Sequence, residues 1–207
     1  MPPRPLSSYT QRPFHTELNS SGEYPFARRP HIAVLAMECI ASWSLVESWL
    51  LNLWIALSGG NEAIAAEIFI SLEGNSAKSA AIGKLVKRLD PRYQALYAAI
   101  SRIAKTQQKS RDKLAHWVWG HSPQMPDALL LADPRVLAMQ QSGDKTVYIY
   151  DSNCLREILV DNNKLSGYVF DFSRIVQNQH NHNDELYLTL CAEPAIREIL
   201  DRRATQG

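Results

Sequence analysis

Apolar residues settle into a regular pattern at Ile32 and keep it to Leu57. Ile32, Ala36, Cys39, Trp43, Val46, Leu50, Leu53 and Leu57 are three or four positions apart, which puts all eight on one stripe of an α-helix. Leu35, Trp49 and Trp54 widen that stripe, so the helix is expected to be covered on more than one side, by its own domain or by a partner. Ser58-Gly59-Gly60 ends it, because glycine readily takes the left-handed conformation past a helix C-terminus. Asn61 caps a second helix to about Glu73, Gly74-Asn75 breaks the chain, and a third helix runs from Ser76 to about Leu89. Asp90-Pro91 opens a fourth with proline at its first position. In that helix Leu96, Ile100 and Ile103 point inward, while Arg102, Lys105 and Lys109 line the solvated side.

The texture changes after His116. Trp117-Val118-Trp119-Gly120 is aromatic and β-branched, and Ala128-Leu129-Leu130-Leu131 and Thr146-Val147-Tyr148-Ile149-Tyr150 read as strands. Asp133-Pro134 and Ser142-Gly143-Asp144 are turn signals, and Val136–Met139 is a candidate for one more strand. Asp151-Ser152 then caps a helix whose apolar residues run from Leu155 to Ile175, with Gly167 a point where it bends or splits. A last helix spans about Asp184 to Arg203, and Pro194 is expected to kink it. Ahead of all this, residues 1–30 hold six of the eleven prolines and show no periodicity. They read as a Pro-rich arm, ordered only by contact with the rest of the protein or with a second chain. The expected fold class is mainly α: a helical bundle over 31–207 with a small antiparallel β insertion between helices at about 117–150.

Length and composition set the bounds. A chain of 207 residues with 45% hydrophobic residues can bury one substantial core. Met1-Pro2-Pro3-Arg4-Pro5 has no apolar stretch behind it, so a signal peptide is not expected there. The most apolar stretch, Ile32 to Leu57, is interrupted by Glu38, Ser42, Ser44, Glu47, Ser48 and Asn52, so it is expected to be a core helix of a soluble protein rather than a membrane span. Cys39, Cys154 and Cys191 are widely spaced and odd in number, which suggests neither a disulfide framework nor a cysteine-held zinc and fits a reducing, cytoplasmic setting. The net charge is only +1, yet Ser76–Trp119 carries ten basic residues against Asp90 and Asp112. Such a zone suits a polyanion, and it equally suits the solvated faces of two ordinary helices.

The basic zone ends in Arg111-Asp112-Lys113-Leu114-Ala115-His116. If this stretch is helical, Asp112 and His116 share a face, so the carboxylate can orient the imidazole and favour its protonated form. The planar guanidinium of Arg111 suits a phosphate. Lys109 and Lys113, with Arg102 and Lys105 a little earlier, are candidate substrate-binding cations, and Trp117 is a candidate stacking surface for a base. Arg111 and His116, separated by four residues and with a polar residue, Asp112, straight after the Arg, resemble the R-x4-6-H signature of the HEPN superfamily. The similarity covers the helical core from about Ile32 to Trp117 and, more loosely, the last helices.

That resemblance implies a metal-independent endoribonuclease that needs no cofactor and acts as a homodimer with two motifs face to face, in a toxin or defence setting. Arg111 would stabilise the phosphate, His116 would act as general base or acid, and Asp112 would orient His116. RNA and an antitoxin or regulatory protein are the implied partners, with no membrane. Two other readings stand beside it. One is a non-catalytic helical dimerisation or binding module in which Arg111, Asp112 and His116 form a structural cluster. The other is a nucleotide-binding regulator using Arg111 and Lys113. The His180-Asn181-His182 spacing reads as a polar loop rather than a metal site, because no further ligands are spaced to complete it.

Overall fold

The structure, a computed structural model, describes residues 3–9, 16–18, 24–135, 147–177 and 184–205. Two compact units divide the chain. One comprises Met1–Trp43 with Gln107–Asn162, the other Ser44–Thr106 with Asn163–Gly207.

The first unit is built on an antiparallel sheet. β3 (Val118–His121), β4 (Ala128–Ala132) and β5 (Val147–Asp151) pair in sequence order. β4 reads Ala-Leu-Leu-Leu-Ala and is buried throughout, as a strand covered on both faces must be. Leu129 and Leu131, with Tyr150 of β5, enter a core with Ile32, Ala36 and Cys39 of α2 (Pro30–Ser58), Leu114 of α5 (Pro91–His116), and Cys154, Leu155 and Ile158 of α6 (Ser152–Gln177). Leu130, Ala128 and Ala132, with Val147 and Ile149, point the other way, into a cluster completed by Met125, Leu6, Tyr9 and Leu18. The arm therefore covers the second face. It also supplies two strands that the sequence pattern did not foretell: β1 (Arg4–Pro5) pairs with β5, and β2 (Glu17–Leu18) pairs with β3. The sheet order is β1-β5-β4-β3-β2, and a short helix α1 (Pro25–Arg28) leads from the arm into α2. Asn162, wholly buried, joins α6 to α2 by donating to the Cys39 carbonyl at 3.1 Å and the Ser42 hydroxyl at 2.9 Å.

The second unit is helical. It takes the C-terminal part of α2, α3 (Glu62–Ser71), α4 (Gly74–Val86), most of α5, the end of α6, α7 (Asp184–Ala192) and α8 (Pro194–Ala204). Gly59 takes φ +63° where α2 stops, and the Asn61 side chain accepts from the Ala63 and Ile64 amides to start α3. The Trp54 indole donates to the Ala65 carbonyl at 2.8 Å and its ring meets Phe69, locking α3 onto α2. Trp49 packs on Phe170, Tyr97 on Phe172 and Tyr93 on Tyr187.

Several sequence expectations are corrected. Gly74, at φ +75°, opens α4 rather than breaking the chain before Ser76. Gly167 does not split α6, which is continuous for 26 residues. Pro194 does more than kink the last helix, dividing it into α7 and α8 because proline has no amide hydrogen for the preceding turn. An 18-residue window of α2 has mean hydropathy 1.4 with 22% of it buried, so by length and composition alone α2 would suffice to cross a membrane. Ile32, Ala36 and Cys39 of the same helix are fully buried in protein. Val136–Met139, Ser142-Gly143-Asp144 and His180–His182 lie outside the described residues.

Leu131 is fully buried in the core that joins sheet and helices. Leu131→Ala is therefore expected to cost about 2–5 kcal/mol of unfolding free energy, measured by urea denaturation followed by circular dichroism.

Candidate functional site

The whole motif lies in the last turns of α5, and two anchors fix where that helix stops. Leu114 is 1% exposed in the sheet core. The last carbonyls of a helix have no partner within it, and two of them are met here by residues beyond it. The Trp117 amide donates to the Lys113 carbonyl at 2.9 Å, and the Trp119 indole reaches back from β3 to the Leu114 carbonyl at 3.2 Å. Phe26 of α1 packs on the Trp119 ring at 4.9 Å between centroids. With Leu114 pinned inward, His116 ends the helix exposed to solvent.

Arg111 is half-buried, its side chain 27% exposed, and one terminal guanidinium nitrogen donates to the Asp112 carboxylate at 3.3 Å. Its Nε is buried without a hydrogen-bond partner among the described residues. Asp112 thus serves Arg111, and no hydrogen bond between Asp112 and His116 is found among the described residues. Helical spacing alone did not bring the expected carboxylate–imidazole pair together. Lys109 is exposed on the same helix.

Lys113 has a different setting from its neighbours. Its ammonium lies 4.9 Å from the centre of the Trp117 ring and 4.5 Å from that of Tyr148 on β5, and the two rings are 5.8 Å apart. Cation–π attraction holds it against the sheet, so Trp117 serves here as a packing surface for a lysine. Tyr148 was legible in the sequence only as a strand residue. Arg102 and Lys105 are exposed on α5, as their spacing predicts, and belong to the other unit.

Asp133, directly after β4, borders this end of the sheet, and His121 lies at the far end of β3. The Asp133 carboxylate takes hydrogen bonds from the side chain and amide of Arg135, which hold it down at about 2, and Lys113 adds a smaller favourable charge. His121, at the end of β3, is 4% exposed with Nε2 3.4 Å from Glu17 of the arm. Burial raises the Cys39 thiol to about 12 and the Cys154 thiol to about 11, so neither is available as a thiolate nucleophile near neutral pH. Among the described residues no three His, Cys, Asp or Glu side chains gather to hold a metal.

Two measurements follow from these settings. In the native protein, Cys191, which is partly exposed, is expected to react with a disulfide reagent at pH 8 while Cys39 and Cys154 wait for unfolding; fast titration of all three thiols would contradict the burial. For Asp133 the folded value lies below the ordinary carboxyl value of 3.8. Its stabilising effect is therefore fully present above that value and is lost as the pH falls toward about 2. Arg135→Gln is expected to remove that part of the acid sensitivity, seen as a shallower fall of thermal midpoint between about pH 4 and 2.

Comparison with protein-family models, curated proteins and solved structures gives no match for this chain.

Proposed function

We propose that the end of α5 is an RNA-cleaving site of the HEPN kind, metal-independent and completed by a second copy of the chain. The observation that carries this reading is that a solvent-exposed imidazole, His116, and a half-buried guanidinium, Arg111, both stand in the last turns of one helix. Exposure lets the imidazole reach a substrate. Imidazole is the side chain that most often serves as general base or acid. Asp112 holds one side of the Arg111 fork, which leaves other donors for a phosphate oxygen.

The reaction balances without a metal or redox partner. A base removes the proton of a 2′-hydroxyl, the oxygen attacks the adjacent phosphorus, and the bond to the 5′-oxygen breaks. The 5′-oxygen leaves with a proton from an acid, and a 2′,3′-cyclic phosphate remains. One imidazole per chain cannot act as base and acid together, so His116 of a second copy takes the other role. Arg111 stabilises the charge that builds on the phosphoryl oxygens. Lys109 is a further exposed cation on the strand's approach, and Lys113 acts mainly through the aromatic pair that holds it.

A second reading draws on the Arg111–Asp112 bond. A guanidinium tied to its neighbour at 3.3 Å also suits a structural cluster in a non-catalytic binding or dimerisation module. An RNA panel in EDTA separates the two, comparing wild type with His116→Ala. As an exposed helix-end substitution, His116→Ala is expected to change stability by no more than about 0.5–1 kcal/mol. Cleavage with cyclic phosphate ends, reduced about 10²-fold or more in the variant, supports the nuclease. Absent cleavage, or equal cleavage by both folded proteins, transfers the assignment to the binding module.

A further inference from the structure

The side of α5 that ends at His116 carries more than the motif. Lys109, Lys113 and His116 recur at spacings of four and three, which puts them on one face of the helix. Trp117 continues that face, because its amide still donates to the Lys113 carbonyl at 2.9 Å. Tyr148 joins them from β5, on the face of the sheet that the helices cover. Its ring centre is 5.8 Å from that of Trp117, with the two planes at 51°. Both rings pack against the core and are only partly buried. The core thus fixes their position and leaves part of each accessible.

The ammonium of Lys113 lies over these rings, 4.9 Å from one centre and 4.5 Å from the other. Among the described residues it makes no ion pair. The Asp133 carboxylate, near enough to feel its charge, is already taken up by the side chain and amide of Arg135. A lysine held by ring faces alone is held weakly. A cation–π contact at a partly exposed site is worth less than a nucleobase stacked on an aromatic ring, and less than a charge-assisted hydrogen bond to a phosphate. One nucleotide offers both replacements at once, a flat base for the rings and a phosphate for the ammonium. Lys109, exposed one turn before Lys113, adds a second cation along the same face.

We propose that Trp117 and Tyr148 form a nucleobase subsite that Lys113 keeps covered, and that a nucleotide opens it by stacking its base on the rings while its phosphate takes the lysine ammonium. This deepens the reading of the end of α5 as an RNA site and rests on RNA binding there, not on cleavage. Stacking reads no hydrogen-bond pattern, so the subsite accepts any base. A base inside a duplex has both faces covered by its neighbours, so the ligand is an unpaired nucleotide. Lys113 and His116 share a helical face, so the stacked base neighbours the phosphate on which the imidazole would act.

The test is binding of an uncleavable probe, a fluorescein-labelled single strand of 2′-O-methyl RNA, to the full-length chain by fluorescence anisotropy. The same sugar–phosphate strand without bases is the comparison. The expected result is saturable binding of the base-bearing strand, about tenfold weaker with Trp117→Leu or Tyr148→Leu and restored with Trp117→Phe or Tyr148→Phe. The phenylalanine variants separate a lost stacking face from a chain that fails to fold. The strand without bases is expected to bind more weakly and to be indifferent to the leucine substitutions. Lys113→Met is expected to lower the slope of log affinity against log salt by about one, because its ammonium sits on a phosphate in the complex. An unchanged slope leaves the lysine on the rings and overturns the proposal. Equal binding with and without bases overturns it too, as does no binding by the folded wild-type chain. Adenosine monophosphate as competitor identifies the source: displacement of the strand at comparable concentrations assigns the subsite to a free nucleotide, and failure to displace it assigns the subsite to a nucleotide within a strand. Cleavage is scored separately. A chain that binds in this way and cuts nothing loses the nuclease reading and keeps the subsite. A chain that cuts RNA while Trp117→Leu leaves its KM unchanged keeps the nuclease reading and loses the subsite.

Discussion

Three strands set into a helical chain have two open edges and two apolar faces, and water must be kept from all four. In the first unit this need organises everything else. The helices cover the face bearing Leu129, Leu131 and Tyr150, and the arm covers the face bearing Leu130, Ala132 and Ile149. The edges are closed by two-residue strands, one of them containing Pro5. Short edge strands and proline are common means of keeping a sheet from pairing with a stranger. A segment with no hydrophobic period of its own thus acquires structure from the sheet it protects.

The same sheet sets the geometry of the motif. Leu114 has to reach the core, and the carbonyl it leaves at the helix end is taken by Trp119. These two demands stop α5 at His116 and turn that imidazole outward. They also bring Lys113 against Trp117 and Tyr148, removing one cation from the set available to a substrate. A basic stretch that looks uniform in the sequence is therefore divided. Lys109 faces water, Lys113 is engaged with aromatic rings, and Arg111 is half-buried beside Asp112.

Asp112 illustrates how a shared helical face differs from a contact. Residues four apart can meet, but a carboxylate takes the donor that reaches it with least strain, and the adjacent guanidinium of Arg111 does so at 3.3 Å. His116 gains freedom as a result. No hydrogen bond to Asp112 orients the ring.

Much of the fold was legible in the sequence because periodicity, caps and breakers act within a few residues. The stripe from Ile32 to Leu57, the Asn61 cap, the proline that opens α5, the basic solvated side of α5 and the strands around Leu130 and Tyr148 all follow from such local rules. Whether the motif itself is helical was left open by the sequence, and the structure puts it in the last turns of α5. What only the tertiary structure decided depends on partners far apart in the chain. These are the arm strands on both edges, the Tyr148 ring beside Lys113, the Trp119 cap on Leu114, and the pairing of Glu17 with His121. Two residues of β1 or β2 are too few to carry a period, and a side chain's choice among possible partners is settled by distance in space, which spacing along the chain does not encode.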